Sequence, residues 1–136
     1  RLYAAEVEEA LRGKHWKKAL KGMYGDDTDT KSKGPARLRA ILNAFTRMRY
    51  VHEDGTLEFK AKMSPKETPD LTAWFDYPRQ FSKTVCFGHW STLGLVMRPD
   101  TVAIDTGCLW GGALTCVRFP DRRLWQVRCP QWAAPC

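Results

Sequence analysis

Apolar residues recur every three or four positions in the first part of this chain, which is the period of a helix. Over residues 2–22 this spacing is interrupted at Gly13 and predicts two helices. Residues 23–33 are rich in Gly, Asp, Ser, Thr and Lys and predict a loop. Helical spacing returns over residues 35–50, with a proline in the first turn, and predicts an amphipathic helix.

The pattern changes in the second half of the chain, where short apolar runs are separated by turn residues. Residues 51–59 predict a hairpin with a two-residue turn at Asp54-Gly55, because these residues accept positive φ angles. The prolines within 61–70 predict a loop, and 71–75 predict a short helix. Four strands are predicted, with Pro120-Asp121 as a turn: 84–87, 101–104, 114–119 and 124–128.

These elements predict a mixed α/β unit, helical over 1–50, hairpin and loop over 51–82, and strands over 83–136. The helical pattern is already under way at Arg1, and there is no initiator Met. We therefore expect a fragment whose sheet continues into another piece of chain. A partial sheet of this kind would leave an unpaired edge and an uncovered apolar face.

The composition points to anionic ligands. The formal charge is +7, from 22 Lys and Arg against 15 Asp and Glu, and much of the excess lies in 12–33 and 37–49. Such a surface attracts nucleotides, polyphosphates or an RNA backbone, although a solvated basic face is the alternative. No apolar run approaches the ~18 residues of a membrane span. The five cysteines show no C-x-x-C spacing, so we expect reduced, mostly buried thiols in the cytoplasm or another reducing compartment.

The candidate chemistry lies in two motifs, Val85-Cys86-Phe87-Gly88-His89-Trp90 and Asp105-Thr106-Gly107-Cys108-Leu109-Trp110-Gly111-Gly112-Ala113-Leu114-Thr115. The first predicts a buried strand that delivers an imidazole to its end, where it can bind a metal, or else a core or turn histidine. Asp105-Thr106-Gly107 predicts either a support for that site or a strand end closed by an Asx turn. Trp90 and Trp110 are candidates for stacking on adenine or for core packing.

Gly-His-Trp followed by Asp-Thr-Gly-Cys-x-Trp-Gly-Gly-x-Leu-Thr resembles the C-terminal signature of the symmetrical diadenosine tetraphosphatases, which are calcineurin-like metallophosphoesterases. The resemblance implies an α/β fold, the C-terminal portion of a β-sandwich flanked by helices. It implies that His89 is the last ligand of a divalent metal pair, Mn²⁺ or Co²⁺, in the complete enzyme. Asp105, Thr106 and Gly107 would then support this ligand, and Trp110 would contact the substrate.

The predicted third helix carries a further resemblance to these enzymes, in the stretch from Leu38 to Arg49. It implies that Arg47 and Arg49 position the substrate, since guanidinium groups match phosphate oxygens in pairs. Two positions correspond to about 200° around a helix, so only one of the two can face the site unless the helix ends between them. Ordinary surface arginines are the alternative.

Most ligands of a calcineurin-like centre are missing from this sequence, which lacks the Asp-x-His, G-D-x-x-D-R-G, Gly-Asn-His and His-Ala-Gly motifs. His15 and His52 match none of them. Residues 25–29 begin like the second motif, but Thr30-Lys31 stand where Arg-Gly should be, so we predict a solvated acidic loop. One imidazole cannot hold a metal pair, and the chain alone is expected to be inactive.

Three hypotheses follow. The chain is the C-terminal part of an enzyme that cleaves diadenosine tetraphosphate, or capped RNA ends, and works with the N-terminal half of the same enzyme or another chain. Alternatively, it is an inactive remnant that serves as an RNA-binding or assembly module through its basic helices. The third hypothesis is a phosphatase acting on phosphoproteins or other phosphoesters.

Overall fold

The computed structural model describes residues 2–25 and 29–134, and the chain divides into two compact units, Arg1–Lys60 and Ala61–Cys136. Within the described residues the fold is mixed α/β: three α-helices precede all nine strands, and one short 3-10 helix, Ser91–Leu93, lies among the strands. None of these helices is long and apolar enough to cross a membrane.

The first unit is built on three helices, α1 (Leu2–Arg12), α2 (Trp16–Leu20) and α3 (Gly34–Arg47). The predicted break at Gly13 is confirmed. Helix α3 ends at Arg47 rather than at Tyr50, because Met48 leaves the helical region with ψ at 125° and Tyr50 begins a strand.

An ion pair joins α1 to α3. The Nε and Nη2 groups of Arg37 donate hydrogen bonds to the two carboxylate oxygens of Glu6, at 2.7 and 3.0 Å. The Arg37 guanidinium also lies 5.2 Å from the ring of Tyr3 and donates to the carbonyl of Thr30. These hydrogen bonds lower the pKa of Glu6 and raise that of Arg37.

The predicted hairpin at the end of the first unit is confirmed, but the prediction of a two-residue turn is wrong. Strands β1 (Tyr50–Val51) and β2 (Leu57–Glu58) are antiparallel and are joined by a five-residue loop, 52–56. The reason is local: the Asp54 carboxylate accepts hydrogen bonds from the amide and hydroxyl of Thr56, at 2.9 and 2.7 Å. Gly55 alone takes a positive φ, 85°.

The second unit begins with the short strand β3 (Thr72–Ala73), so the helix predicted at 71–75 is wrong. An apolar run of five residues is too short to distinguish a helix from a buried strand. Ala73, Trp74 and Phe75 are all buried, and the Trp74 ring meets that of Phe87 edge to face at 5.1 Å.

Two three-stranded sheets follow. Strands β4 (Val85–Phe87), β5 (Val96–Met97) and β6 (Thr101–Ala103) form a mixed sheet in the order β4-β6-β5. Strands β7 (Asp105–Thr106), β8 (Ala113–Arg118) and β9 (Arg123–Arg128) form an antiparallel sheet in chain order. The four predicted strands and the turn before β9 are confirmed. Strands β5 and β7 were not predicted, because two residues show no periodicity.

Burial in the mixed sheet differs between its strands. All three residues of β6 are buried, whereas β4 lies at the edge, where Val85 and Phe87 are half-buried and Cys86 is exposed. The expectation that residues 85–87 form a buried strand is therefore wrong. An apolar run does not reveal whether its strand is central or at an edge.

The Glu6–Arg37 pair predicts a pH-dependent stability of the helical unit. Because folding lowers the pKa of Glu6, the pair stabilises the folded state above the usual glutamate pKa of about 4.3, and this contribution is lost as pH falls through the lowered value. We expect Glu6→Gln to lower the urea midpoint of the helical circular dichroism signal at pH 7 and to have a smaller effect near pH 3. Glu9→Gln, at an exposed position of α1, is the matched control. A Glu6→Gln deficit that stays the same at both pH values would contradict this account.

Candidate functional site

Two parallel strands bring the two sequence motifs together. Strands β4 and β6 pair in register, with Phe87 opposite Ala103, and the amide of Ile104 donates to the Phe87 carbonyl at 3.0 Å. The carboxyl ends of parallel strands lie at the same edge of a sheet, and here Gly88 and Asp105 follow those ends. A Cβ placed on Gly88 would lie 3.7 Å from the Asp105 Cβ. Gly88 therefore lies close to Asp105, and His89 is the next residue along the chain.

His89 has an unusual backbone conformation. It lies two residues beyond the end of β4, is exposed, and has φ at 71°, in the left-handed region. This conformation costs a non-glycine residue roughly 1–2 kcal/mol, and residues held in it are concentrated at functional sites. Within residues 2–25 and 29–134, Arg122 is the one other non-glycine residue with positive φ. The structure thus presents His89 at the surface and not in the core.

Asp105, Thr106 and Gly107 form a closed turn at the end of β7. The Asp105 carboxylate accepts a hydrogen bond from the Gly107 amide at 3.2 Å, which is the Asx turn considered from the sequence. The Thr106 hydroxyl bonds to the Ala113 carbonyl and to the Thr115 hydroxyl, both at 2.5 Å. Thr106 thus holds β7 against β8, and Asp105 fixes the direction of the chain beside His89.

Two glycines let the next loop close. Gly107 has φ at 70°, and a Cβ there would lie 3.3 Å from Cδ1 of Trp110. A Cβ on Gly112 would lie 2.0 Å from the Thr106 carbonyl oxygen, which no real side chain could tolerate. Gly112 is therefore required by close backbone approach, and Gly107 by its positive φ.

The two tryptophans of the motifs have different surroundings. Trp90 is 1% exposed, and its Nε1 donates to the Met63 carbonyl at 3.2 Å, so it belongs to the core. Trp110 is half-buried, and its Nε1 donates to the Ser91 hydroxyl at 3.1 Å. Trp110 therefore ties the loop after β7 to the loop that carries His89. Sequence reasoning did not identify Ser91, and no pattern around this residue signals its role.

The predicted substrate arginines lie in the other compact unit. The Arg47 Nη1 donates to the Gly25 carbonyl at 3.2 Å and to the Asn43 Oδ1 at 3.1 Å, and its guanidinium lies 4.9 Å from the Phe59 ring. Asn43, which is buried, also donates to Gly25, so both side chains fix this segment. Arg49 is half-buried beyond the end of α3, so the helical-face limit on the two arginines does not apply. The role of Asn43 as a partner of Arg47 was not predicted from the sequence, although Asn43 precedes Arg47 by one helical turn.

Part of the predicted acidic loop, 26–28, lies outside the described residues. At its end, Asp29 is exposed, and its carboxylate accepts hydrogen bonds from the Lys31 amide at 2.7 Å and the Ser32 hydroxyl at 3.0 Å. These bonds lower the pKa of Asp29. They make Asp29 a turn residue.

The prediction that the cysteines are reduced and mostly buried is wrong. Cys108 and Cys129 form a disulfide with a Cα–Cα distance of 5.2 Å, while Cys86 and Cys116 are exposed. Cys108 and Cys129 are 21 residues apart in the sequence, which is not a recognised cysteine spacing. Only the return of the chain along β8 and β9, where the Cys129 amide donates to Gly112, brings these two cysteines together.

The described residues do not form a metal centre by themselves. They contain no group of three or more His, Cys, Asp or Glu side chains able to hold an ion. His89 and Asp105 supply at most two such groups at the shared edge.

Comparison with known proteins gives the lineage. The chain matches no family model. It is 49% identical to the symmetrical bis(5'-nucleosyl)-tetraphosphatase of Bordetella pertussis, over 97% of this chain and 50% of that protein. Proteins of the same name from Janthinobacterium sp. and Delftia acidovorans are 47% and 46% identical, over 96% and 97% of this chain and 50% of each protein.

The chain is thus similar over nearly its whole length to symmetrical bis(5'-nucleosyl)-tetraphosphatases. It spans about half the length of the curated relatives it matches, in agreement with the expectation of a C-terminal part. The family resemblance predicted from the two motifs is thereby confirmed.

Close packing at Gly112 gives a prediction for the tetraphosphatase motif. We expect Gly112→Ala to destabilise the second unit by at least roughly 2 kcal/mol, because its Cβ would overlap the Thr106 carbonyl and separate β7 from β8. Gly88→Ala is the matched control, since its Cβ would make only an ordinary contact, and should cost less than about 0.5 kcal/mol. Urea unfolding followed by tryptophan fluorescence measures both. Equal stability of the two variants would show that the 107–112 loop packs differently.

Proposed function

We propose that this chain contributes one part of a metal-dependent phosphohydrolase that cleaves diadenosine tetraphosphate symmetrically into two ADP. The observation that carries this proposal is the placement of His89 and Asp105 at one edge of the β4–β6 pair. The names of relatives that are 43–49% identical over nearly the whole chain support the substrate and the symmetry of cleavage.

The fold we propose for the complete enzyme is a calcineurin-like β-sandwich flanked by helices, to which this chain adds the C-terminal portion. Two features favour a continuing sheet. Strand β4, which leads to His89, is an edge strand with the exposed residue Cys86. The β8–β9 hairpin exposes apolar side chains, with Leu114 at 64% and Val127 at 66%. Exposed edges and apolar faces of this size are normally covered in a complete domain.

In this proposal His89 supplies one imidazole ligand to a divalent metal pair, Mn²⁺ or Co²⁺. The described residues do not by themselves fit such a pair, so we propose that the rest of the enzyme supplies the remaining ligands. The Asx turn at Asp105 and the Trp110–Ser91 hydrogen bond would hold the His89 loop in place. Loss of an orienting contact of this kind typically lowers metal affinity or activity 10- to 100-fold.

Substrate contacts are proposed for Arg47, Arg49 and Trp110. One Nη group of Arg47 is engaged with Gly25 and Asn43, which fixes the guanidinium plane for phosphate oxygens. Trp110 uses its Nε1 for Ser91 and is half-buried, so only part of its ring is available to a base.

A second candidate function is favoured by one observation. Because the described residues hold no ligand cluster, this polypeptide by itself fits a non-catalytic assembly or RNA-binding module. Nothing in its structure favours a phosphoprotein substrate, the third hypothesis.

The proposal predicts the activity of a chimeric protein in which this chain replaces the aligned half of the Bordetella pertussis relative. We expect the chimera to convert diadenosine tetraphosphate to ADP in the presence of Mn²⁺, while the isolated chain does not. His89→Ala should reduce kcat/KM at least about 100-fold, because one metal ligand is lost. His52→Ala, on the exposed hairpin loop, is the control and should keep the activity. Chromatographic separation of ADP from AMP and ATP measures both rate and symmetry.

Three outcomes would contradict the proposal. The first is hydrolysis by the isolated chain at the rate of the chimera, which would mean that the chain holds its own centre. The second is equal activity of the His89→Ala and His52→Ala chimeras. The third is a chimera that prefers a phosphopeptide to the dinucleotide.

A further inference from the structure

We propose that the first unit carries a binding surface for single-stranded nucleic acid, which deepens the RNA-binding candidate of the proposed function. The basic-aromatic surface, as we name it, consists of Trp16, Lys17, Lys21, Tyr24 and Arg39. These residues belong to α2, the segment that follows it, and α3.

One face of α3 holds segment 21–25. Arg39, Asn43 and Arg47 are spaced by four residues and therefore share a helix face. Nη1 of Arg39 donates to the carbonyl of Lys21 at 3.3 Å. One and two turns later, Asn43 and Arg47 donate to the carbonyl of Gly25, at 3.0 and 3.2 Å. The segment thus follows α3 for roughly 12 Å, and its backbone faces the helix.

The four lysines in and around α2 form two pairs, each with a spacing of four residues: Lys14 with Lys18, and Lys17 with Lys21. Lys14 and Lys18 line a groove of about 620 Å³ together with Glu6 and Glu9 of α1, so carboxylates lie close to them. Lys17 and Lys21 are not among the lining residues of that groove. Lys17 and Lys21, the residue that caps the C-terminal end of α2, are spaced by four residues, and the Lys21 carbonyl accepts the hydrogen bond from Arg39. The surface therefore receives two lysines and one arginine away from the acidic groove.

Two exposed aromatic rings lie beside cations on this surface. Trp16 is 44% exposed, with the Lys17 ammonium 5.6 Å from its ring centroid. Tyr24 is 84% exposed, and the Arg47 guanidinium lies 5.6 Å from its ring. A large exposed aromatic ring is unfavourable in water but provides a face on which a nucleobase can stack.

The pattern of charge favours nucleic acid over a protein partner. Residues 10–25 contain five Lys or Arg residues and no Asp or Glu, and aspartates follow at 26, 27 and 29. A phosphate backbone would therefore meet an excess of cations at the α2 end of the surface. Cations alternating with stackable rings match the alternation of phosphates and bases in a single strand. A duplex hides its bases and would use the charges alone.

The test measures binding of this chain to a fluorescein-labelled 12-nucleotide oligoadenylate by anisotropy, between 50 and 200 mM salt. Lys17→Gln/Lys21→Gln should weaken binding at least about fivefold and reduce the slope of log K against log salt by about 1.4, the value for two lost contacts to a single strand. Lys14→Gln/Lys18→Gln removes the same net charge on the groove side and should stay within about twofold of the unmodified chain.

The stacking part of the proposal is tested at Tyr24, which is 84% exposed. Circular dichroism checks the fold of each variant. Tyr24→Ala should weaken oligoadenylate binding about tenfold, and Tyr24→Phe should keep it, because a phenyl ring also stacks. Inorganic polyphosphate, which has no bases, should bind the unmodified chain and the Tyr24→Ala variant equally.

Three results would overturn the proposal. The first is an equal loss in both lysine pairs, since net charge alone would then explain binding. The second is an unchanged affinity of Tyr24→Ala for oligoadenylate. The third is binding to phosphatidylglycerol vesicles without binding to oligoadenylate, which would identify a lipid surface instead. All three are independent of the hydrolysis measured in the chimera.

Discussion

The parallel pairing of β4 with β6 is the constraint on which the candidate site depends. Parallel strands end at the same edge, and each motif follows one of these strands: Gly88 comes directly after β4, and Asp105 comes two residues after the end of β6. Gly88 permits the close approach of Asp105, and His89 follows in a left-handed conformation that only a well-supported turn can hold. The Asx turn and the Trp110–Ser91 hydrogen bond supply that support from the neighbouring sheet. Loss of the pairing would separate two motifs that are fifteen residues apart in sequence.

Much of this arrangement could be predicted from the sequence because the signals are local. Three features depend only on residues that are neighbours in the sequence: the break at Gly13, the apolar spacing over α3, and the apolar runs before and after Pro120. Features that depend on distant residues could not be predicted this way. The Cys108–Cys129 disulfide follows from the β8–β9 return, and the edge position of β4 depends on which strand lies beside it.

The site shows the same distinction. The motifs identified His89 and Asp105, but the partners that hold their loops, Ser91 above all, have no sequence signal. Trp90 and Trp110 look equivalent in the sequence, yet one is a core residue and the other joins two loops. The function of an aromatic residue is set by what lies beside it, which a single sequence does not encode locally.

The two compact units have different chemistry. The first is basic and fixes a backbone segment against the Arg39, Asn43 and Arg47 face of α3. The second presents an imidazole and a carboxylate at a sheet edge. The central claim is that His89 binds metal in the complete tetraphosphatase. Its most direct test is the metal content of the Bordetella chimera after dialysis against Mn²⁺, by atomic emission and electron paramagnetic resonance. The account predicts that His89→Ala loses at least one Mn²⁺ per protein and the spin coupling of the pair, whereas His52→Ala keeps both. Full Mn²⁺ content and unchanged coupling in His89→Ala would contradict it.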